Sequence, residues 1–274
     1  MKVDVAIVGG GLVGGTLAVA LADAGVSVAL VDARSSAQAA SRADADTGFD
    51  QRVFALRPAS RQFLESCGIW RHVDSERICP VHRMLVTGDD GGSRLGFDAY
   101  RSGIAELAVI SESRVLDTAM RHVLHQRRLV TGAEGHRCED VVWYDEGVTI
   151  SLGYGQAIRA QLVVGGDGAT SRVRDLAGIK VRESAYGQSA VVANFAITGT
   201  HQGTAWQWFR PDGVLALLPL PGKHVSMVWS TPQDHADELL GLPAEALAAR
   251  VTQASNGVAG ELTGTGAAAA FALR

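Results

Sequence analysis

A mixed α/β fold, in which a parallel-sheet domain is interleaved with a mainly antiparallel β domain, is predicted by three features of this 274-residue chain. Residues 3–34, "VDVAIVGGGLVGGTLAVALADAGVSVALVDAR", read as strand, glycine turn, helix and second strand. A further strand and glycine turn, "VVGGDGATSRVR", stands at Val163 to Arg174. Short β-like runs lie between these units and long ones follow from Gly187 to Ser230, so sheet segments interrupt the parallel elements.

The opening stretch holds eighteen uncharged residues in succession, Val5 to Ala22, enough for a membrane span or a signal-peptide core. Its composition points elsewhere. Five of the eighteen are glycines (Gly9, Gly10, Gly11, Gly14 and Gly15), each costing a helix about 1 kcal/mol. Asp4 precedes the stretch, and Asp23 and a second apolar run follow it. Val3 to Val8 suits a strand buried on both faces of a parallel sheet. Gly9, Gly11 and Gly14 form G-x-G-x-x-G, and Leu12 to Ala24 is a helix with Leu17, Ala18, Leu21 and Ala22 on one face. Gly25 ends that helix, and Val26 to Val31 is a second strand with Asp32 at its tip. The chemistry needs these residue types. A pyrophosphate reaches the helix N-terminus only where no Cβ intervenes at the second glycine, and an acid at the next strand's tip can accept hydrogen bonds from a ribose diol. The whole register therefore identifies a Rossmann-like dinucleotide site. A P-loop is excluded, because Gly15 stands before Thr16 where the phosphate-binding lysine would be.

Bulk properties narrow the class further. A net charge of −4 with 20% charged residues offers no nucleic-acid surface and no polybasic membrane patch. Hydrophobic content of 47%, with 32 glycines and 7 prolines, fits an α/β enzyme. Cys67, Cys79 and Cys138 lack C-x-x-C spacing, which reads as a reduced, cytoplasmic setting. His122 and His125 share a helical face without a third ligand, so no metal site is assigned, and no G-x-S-x-G elbow is present.

The remaining elements follow in order. Ser35 to Gly48 reads as a surface loop, and Pro58 to Ser66 as a helix with proline in its first turn. "GDDGG" breaks the β-like runs between Ile78 and Phe97. Ser111 to Gln126 is predicted to be a helix capped by Ser111, with Val115, Leu116, Ala119 and Val123 inward. Strands fill His136 to Val164, Ser171 to Leu176 begins a helix, and Pro243 to Ala254 is the last helix. The domains are drawn at 1–75 and 106–180 for nucleotide binding, and at 76–105 and 181–274 for the β domain.

Together these segments resemble the group A flavin-dependent aromatic hydroxylases. Asp167, Gly168, Ser171, Val173 and Arg174 match that family's D-G segment running into S-x-V-R. More narrowly, the chain is similar to the ubiquinone-biosynthesis hydroxylases. Asp50, Arg52, Ala55, Leu56, Ser60, Leu64, Gly68 and Trp70 fall on that pattern, as do Ala216, Leu218, Pro219, Leu220, Val228, Trp229 and Ser230. Glu112, Arg114 and Leu116 match the start of the family's flavin-facing helix. Arg57, Gly166 and Ala272 depart from the usual residues, and the chain stops at Arg274, before the family's third flavin motif, as a truncated form would. "WQW" followed by Pro211 also resembles a tryptophan-halogenase motif, but Arg210 stands at its isoleucine position.

The resemblance implies an FAD/NAD(P)-binding domain and a substrate domain. It implies an FAD-dependent monooxygenase that uses NAD(P)H and O2 to hydroxylate a phenolic, prenylated ring in ubiquinone biosynthesis. Gly9, Gly11 and Gly14 would admit the FAD pyrophosphate, Asp32 the adenosine ribose, and Arg34 would lie on the adenine side. Arg52, Arg114 and Asp167 would line the flavin or the passing nicotinamide. No matched motif supplies a catalytic base. Trp206, Trp208, Phe209 and Trp229 suit either a prenylated ring or ordinary core packing. A lipid substrate implies a cytoplasmic protein peripheral to the inner face of the membrane, or a biosynthetic complex, and no nucleic acid. Hydroxylation of a soluble phenol, or a non-catalytic nucleotide-binding scaffold, are the alternatives.

Overall fold

The structure, a computed structural model, describes residues 1–35, 48–90 and 92–273. Most of the loop expected from Ser35 to Gly48 lies outside the described residues. In chain order the elements are β1 (Lys2–Val8), α1 (Leu12–Asp23), β2 (Val28–Asp32), β3 (Val53–Leu56), α2 (Pro58–Ser66), β4 (Ile78–Val81), β5 (Arg83–Thr87), β6 (Arg94–Asp98), β7 (Ala108–Glu112) and α3 (Ser113–Leu124). There follow β8 (Val130–Glu134), β9 (Cys138–Tyr144), β10 (Gly147–Leu152), β11 (Gln156–Gly165), α4 (Arg172–Leu176), β12 (Gln188–Ile197), β13 (Thr204–Arg210), β14 (Gly213–Leu220) and β15 (His224–Pro232). The last are α5 (Gln233–Gly241), α6 (Ala244–Ala254), β16 (Leu262–Gly264) and β17 (Ala269–Ala272). The chain divides into two compact units of three segments each. The first is Met1–Asp46, Gln62–Val73 and Arg114–Arg182, and the second is Thr47–Arg61, Asp74–Ser113 and Glu183–Arg274.

The first unit is built on a six-stranded sheet in the order β8-β2-β1-β11-β10-β9. β8, β2, β1 and β11 run parallel, and β10 and β9 return antiparallel. The central position of β1 follows from its two apolar faces. Ala6 and Val8 join Ala29 and Val31 in one core, while Val5 and Ile7 join Val28 and Leu30 in the other. α1 and α3 cover the second face through Ala18, Val19, Ala119, Met120 and Val123. α1 buries Gly14, Gly15, Thr16, Ala18, Val19 and Ala22, whereas Leu17 and Leu21 are only partly buried. The helix is apolar nearly all round, so residue size chooses its inward face. A Cβ at Gly15 would overlap the Met120 thioether on α3, which is why the small residues point there.

The second unit contains an eight-stranded sheet, β16-β12-β15-β14-β13-β5-β6 with β17 also on β12, and a three-stranded antiparallel sheet, β3-β7-β4. The larger sheet is antiparallel except where β13 meets β5. One of its faces packs Val191, Phe195, Leu215, Leu217 and Met227 against Ala236 and Leu239 of α5 and Val251 of α6. Trp208 and Trp229 are buried in this core and Trp206 packs against it. Phe209, one residue along β13 and therefore on the opposite face, is 46% exposed. Of the four aromatics, then, three belong to packing.

The structure corrects the helix expected to start at Ser111. Ser111 and Glu112 belong to β7, paired with Phe54 and Val53 of β3, and the helix begins at Ser113. The β ladder satisfies the backbone that a cap would otherwise have served. β8, α5, β16 and β17 are additional elements that the sequence pattern did not reveal. The three cysteines are free and buried, and burial pushes the Cys79 and Cys138 thiols up to about 11. Among the described residues no helix is long and apolar enough to cross a membrane.

One buried ion pair ties the second unit together. Glu112, fully buried, accepts Arg77 Nε at 2.7 Å and Arg77 Nη2 at 2.8 Å, and also the Asp50 N–H at 2.6 Å. Arg77 Nη2 reaches the Gly48 carbonyl as well, at 2.8 Å. The pair thereby holds the 48–50 segment against β7 and β4. Glu112 is the fully buried member and Arg77 is partly exposed, so taking the cation from the carboxylate with Arg77→Ala is expected to cost about 3–5 kcal/mol in urea unfolding. A cost near that of a surface substitution would show that the pair contributes little.

Candidate functional site

The chain leaves β1 at Val8 and turns through Gly9, Gly10 and Gly11 into α1. The Gly9 N–H donates to the Val31 carbonyl and the Gly166 N–H to the Val8 carbonyl, both at 2.7 Å, which laces the ends of β1, β2 and β11 together. Gly9 has φ +111°, and a Cβ on it would overlap the Gly166 carbonyl. A Cβ at Gly14 would overlap the Gly9 carbonyl, and one at Gly10 would overlap the Asp32 carboxylate. With Gly15 against the end of the Met120 side chain, four of the five glycines lie in close contact with the rest of the chain, Gly9 and Gly14 with backbone that cannot give way. Gly11 is different. Apart from its immediate chain neighbours, no atom of the described residues lies within 4 Å of a Cβ placed there. Gly11 is also the N-cap of α1, where no side chain caps the helix and no acidic residue occupies the first turn. The first-turn N–H groups, which no described side chain caps, and the positive end of the helix dipole thus lie beside Gly11, an arrangement that fits a pyrophosphate.

Beside this turn stands Asp32 at the end of β2, 6% exposed. Its Oδ1 accepts the Arg34 N–H at 3.0 Å and Arg34 Nε at 3.3 Å. Its Oδ2 accepts Arg34 Nη2 at 3.0 Å and Arg121 Nη2 at 3.1 Å. Burial alone would raise the Asp32 carboxyl, but the hydrogen bonds and charges of Arg34 and Arg121 outweigh it and hold the group below its ordinary value. Both guanidiniums also donate to the Gly10 carbonyl, from Arg34 at 3.0 Å and from Arg121 at 3.3 Å.

The second glycine turn follows β11. Asp167 accepts the Ser171 hydroxyl at 2.5 Å, the Arg172 N–H at 2.7 Å and the Val173 N–H at 3.2 Å. Its carboxylate therefore takes the first two N–H groups of α4, whose N-cap Ser171 accepts the Arg174 N–H at 3.1 Å, and fixes the turn whose backbone abuts Gly9. The structure thus brings Gly9, Gly11, Gly14, Asp32, Arg34 and Asp167 to one end of the parallel strands. Arg114 lies on the first turn of α3, partly buried, in the same unit. Arg52 is in the other unit, exposed, with its guanidinium carbon 5.6 Å from the Phe54 ring and 5.9 Å from the Phe271 ring. Sequence reasoning missed Arg121. The available signal was its i,i+4 spacing from Asp117, a pairing present at 2.9 Å. His122, considered as a ligand with His125, packs on the His72 ring at 4.3 Å between centroids.

Two outcomes follow from this geometry. Gly14→Ala should lose about 2–4 kcal/mol in urea unfolding because backbone must move. Gly11→Ala should stay within about 1 kcal/mol of the parent yet lose dinucleotide affinity in calorimetric titration. Equal stability losses in the two variants would contradict the division between packing and ligand glycines. Asp32 supplies a pH signature. Its folded pKa lies below the ordinary 3.8, so its stabilising effect is complete above that value and disappears as the pH falls through the lowered one. Asp32→Asn should therefore cost about 1–3 kcal/mol at neutral pH, a difference that shrinks on acidification below about pH 4. A difference independent of pH would contradict this.

A family model described as "FAD binding domain" matches residues 2–258 of the chain. The ubiquinone hydroxylase UbiL of Rhodospirillum rubrum is 39% identical over 244 residues, covering 88% of this chain and 55% of that protein. The 3-demethoxyubiquinol 3-hydroxylase of Escherichia coli is 34% identical over 226 residues, covering 82% of this chain and 56% of that one. The chain thus spans about half the length of these relatives. In fold it is similar to a mutant of PqsL from Pseudomonas aeruginosa, with TM-score 0.79 and 24% identity over 99% of this chain and 73% of that one. With its glycine turns, its interleaved β unit and these homologues, the chain belongs to the FAD-binding monooxygenase family, in which ubiquinone hydroxylases are among its relatives.

Proposed function

We propose that this chain serves an FAD-dependent monooxygenase that hydroxylates a prenylated phenolic ring in ubiquinone biosynthesis. The observation that carries the reading is Gly11, the one glycine of the turn that no atom of the described chain crowds, set at the uncapped start of α1 beside a buried acid. The overall reaction consumes the ring C–H, NAD(P)H, a proton and O2, and yields the phenol, NAD(P)+ and water. FAD, when bound, supplies the electron transfer and oxygen activation.

The chain's own residues bind and orient. Gly9 and Gly14 shape the turn, Gly11 leaves room for the pyrophosphate, Asp32 receives the adenosine ribose and Arg34 serves the adenine side. Asp167 holds the second turn in place, and Arg114 and Arg52 serve the flavin or the nicotinamide cofactor. In this reading the first unit is the FAD-binding domain and the second the substrate domain. Support for a hydrocarbon-tailed substrate comes from one face of the large sheet in the second unit. There Leu95 pairs with Val86 and Phe97 with Met84, and Phe209, Leu95 and Phe97 are each about half exposed. An apolar surface of this kind suits a prenyl tail.

The test is a visible absorption spectrum of the purified chain with added FAD, followed by NADH and NADPH oxidation with a prenylated phenol and with a water-soluble phenol. Protein-bound flavin bands and gain of one oxygen atom by the prenylated ring, seen by mass spectrometry, are expected. Faster turnover of the soluble phenol would reassign the substrate, and a chain that binds no flavin would favour a scaffold.

A further inference from the structure

Among the described residues the Asp32 carboxylate receives four hydrogen bonds, three from Arg34 and one from Arg121. Four is about what two carboxylate oxygens accept, so a ribose hydroxyl can bond to Asp32 only by replacing one of these donors. The donors are not equally replaceable. The Arg34 N–H is fixed by the chain. Arg121 is only 12% exposed and is gripped on other sides by Asp117 of α3 at 2.9 Å, by Glu134 of β8 at 3.7 Å and by the Gly10 carbonyl at 3.3 Å. The Arg34 side chain is 32% exposed and rests on Asp32 and the Gly10 carbonyl. A partly exposed arm gives up such a pair at smaller cost, whereas extracting the more buried Arg121 would also break its pairs with Asp117 and Glu134.

We propose that Arg121 is a positioning residue of the nucleotide site, holding the Asp32 carboxylate against the glycine turn, and that the Arg34 guanidinium is the donor that gives way to the adenosine ribose. Arg121 acts through Asp32 and touches no ligand atom. It ties β2, α3 and β8 to the Gly10 carbonyl, so the acid keeps its place when Arg34 departs. This inference rests on the dinucleotide reading above.

The experiment titrates ADP, 2′,3′-dideoxy-ADP and FAD calorimetrically into the parent chain and into Asp32→Asn, Arg121→Gln, Arg121→Lys and Arg34→Ala. The ratio of the two ADP affinities isolates the ribose hydroxyls. The parent should favour ADP by about tenfold or more, the worth of hydrogen bonds to a charged acceptor. Asp32→Asn and Arg121→Gln should both flatten that ratio, and a variant that combines these two substitutions should be no flatter than either alone. Arg34→Ala should preserve it, even where affinity for both nucleotides changes together. Arg121→Lys keeps the charge but has no fork to span Asp32 and Asp117, so its ratio should fall in between. That variant carries the test alone if Arg121→Gln does not fold. A ratio unchanged in the folded Arg121 variants would reduce Arg121 to a general structural role and overturn the inference, as would a ratio lost in Arg34→Ala. ADP binding by the parent without preference for the hydroxyls would also overturn it while leaving the dinucleotide reading intact. Failure of the parent to bind either ADP or FAD would instead overturn the dinucleotide reading itself.

Discussion

Backbone contact between two glycine turns is the constraint on which the first unit depends. Gly9 and Gly166, at the ends of adjacent parallel strands, lie so close that a side chain on Gly9 would occupy the position of the Gly166 carbonyl. The contact draws the ends of β1 and β11 together, and the Gly9 bond to Val31 adds the end of β2. Once those strand ends are fixed, the path of α1 follows, because Gly14 rests on the Gly9 carbonyl and Gly15 on Met120. The helix start is thereby aimed into the space beside Gly11. The fold's closest packing leaves the start of α1 uncapped by a side chain, and Gly11 is the one glycine of the turn at which a Cβ would meet no other part of the described chain.

Charge is concentrated at the same place. Asp32, Asp117 and Glu134 converge on Arg121, and Arg34 adds a second guanidinium. Such a cluster would be costly if its members were buried singly, and it is tolerable because each carboxylate shares a cation and each guanidinium spreads its N–H groups over several acceptors. The second unit solves the same problem with Arg77 and Glu112, where a forked guanidinium and a backbone N–H satisfy a carboxylate with no access to water. In both units the charged groups hold chain segments in register. One secures a strand tip beside a helix start, and the other secures the segment around Asp50.

The dinucleotide turn was legible in the sequence because its requirements are local. Strand, turn, helix and acid lie within residues 3–34, and each is signalled by residue type: β-branched residues for the strand, glycines for the turn, an acid at the next strand's tip. The β runs of the second unit were legible for the same reason. Ser111 misled because a serine before an amphipathic run is a local cap signal, while the partners that claim it, Phe54 and Ile78, lie far away in the sequence. Trp206, Trp208 and Trp229 were open to two readings because aromatic residues serve a core and a ligand equally well, and only their packing against α5, α6 and the sheet decides for the core.

What the sequence determined by itself was the class of fold, the place of the glycine turns and the family, since spacing and residue type carry that information along a single segment. What only the tertiary structure decided was which glycines of the turn are crowded by the rest of the chain and which is not, that Asp167 accepts the first N–H groups of α4, and that Arg121 meets Asp32 across 89 residues. Those outcomes depend on which atoms are brought within a few ångströms by strand order and helix docking, and distance across the fold has no signature in local residue pattern.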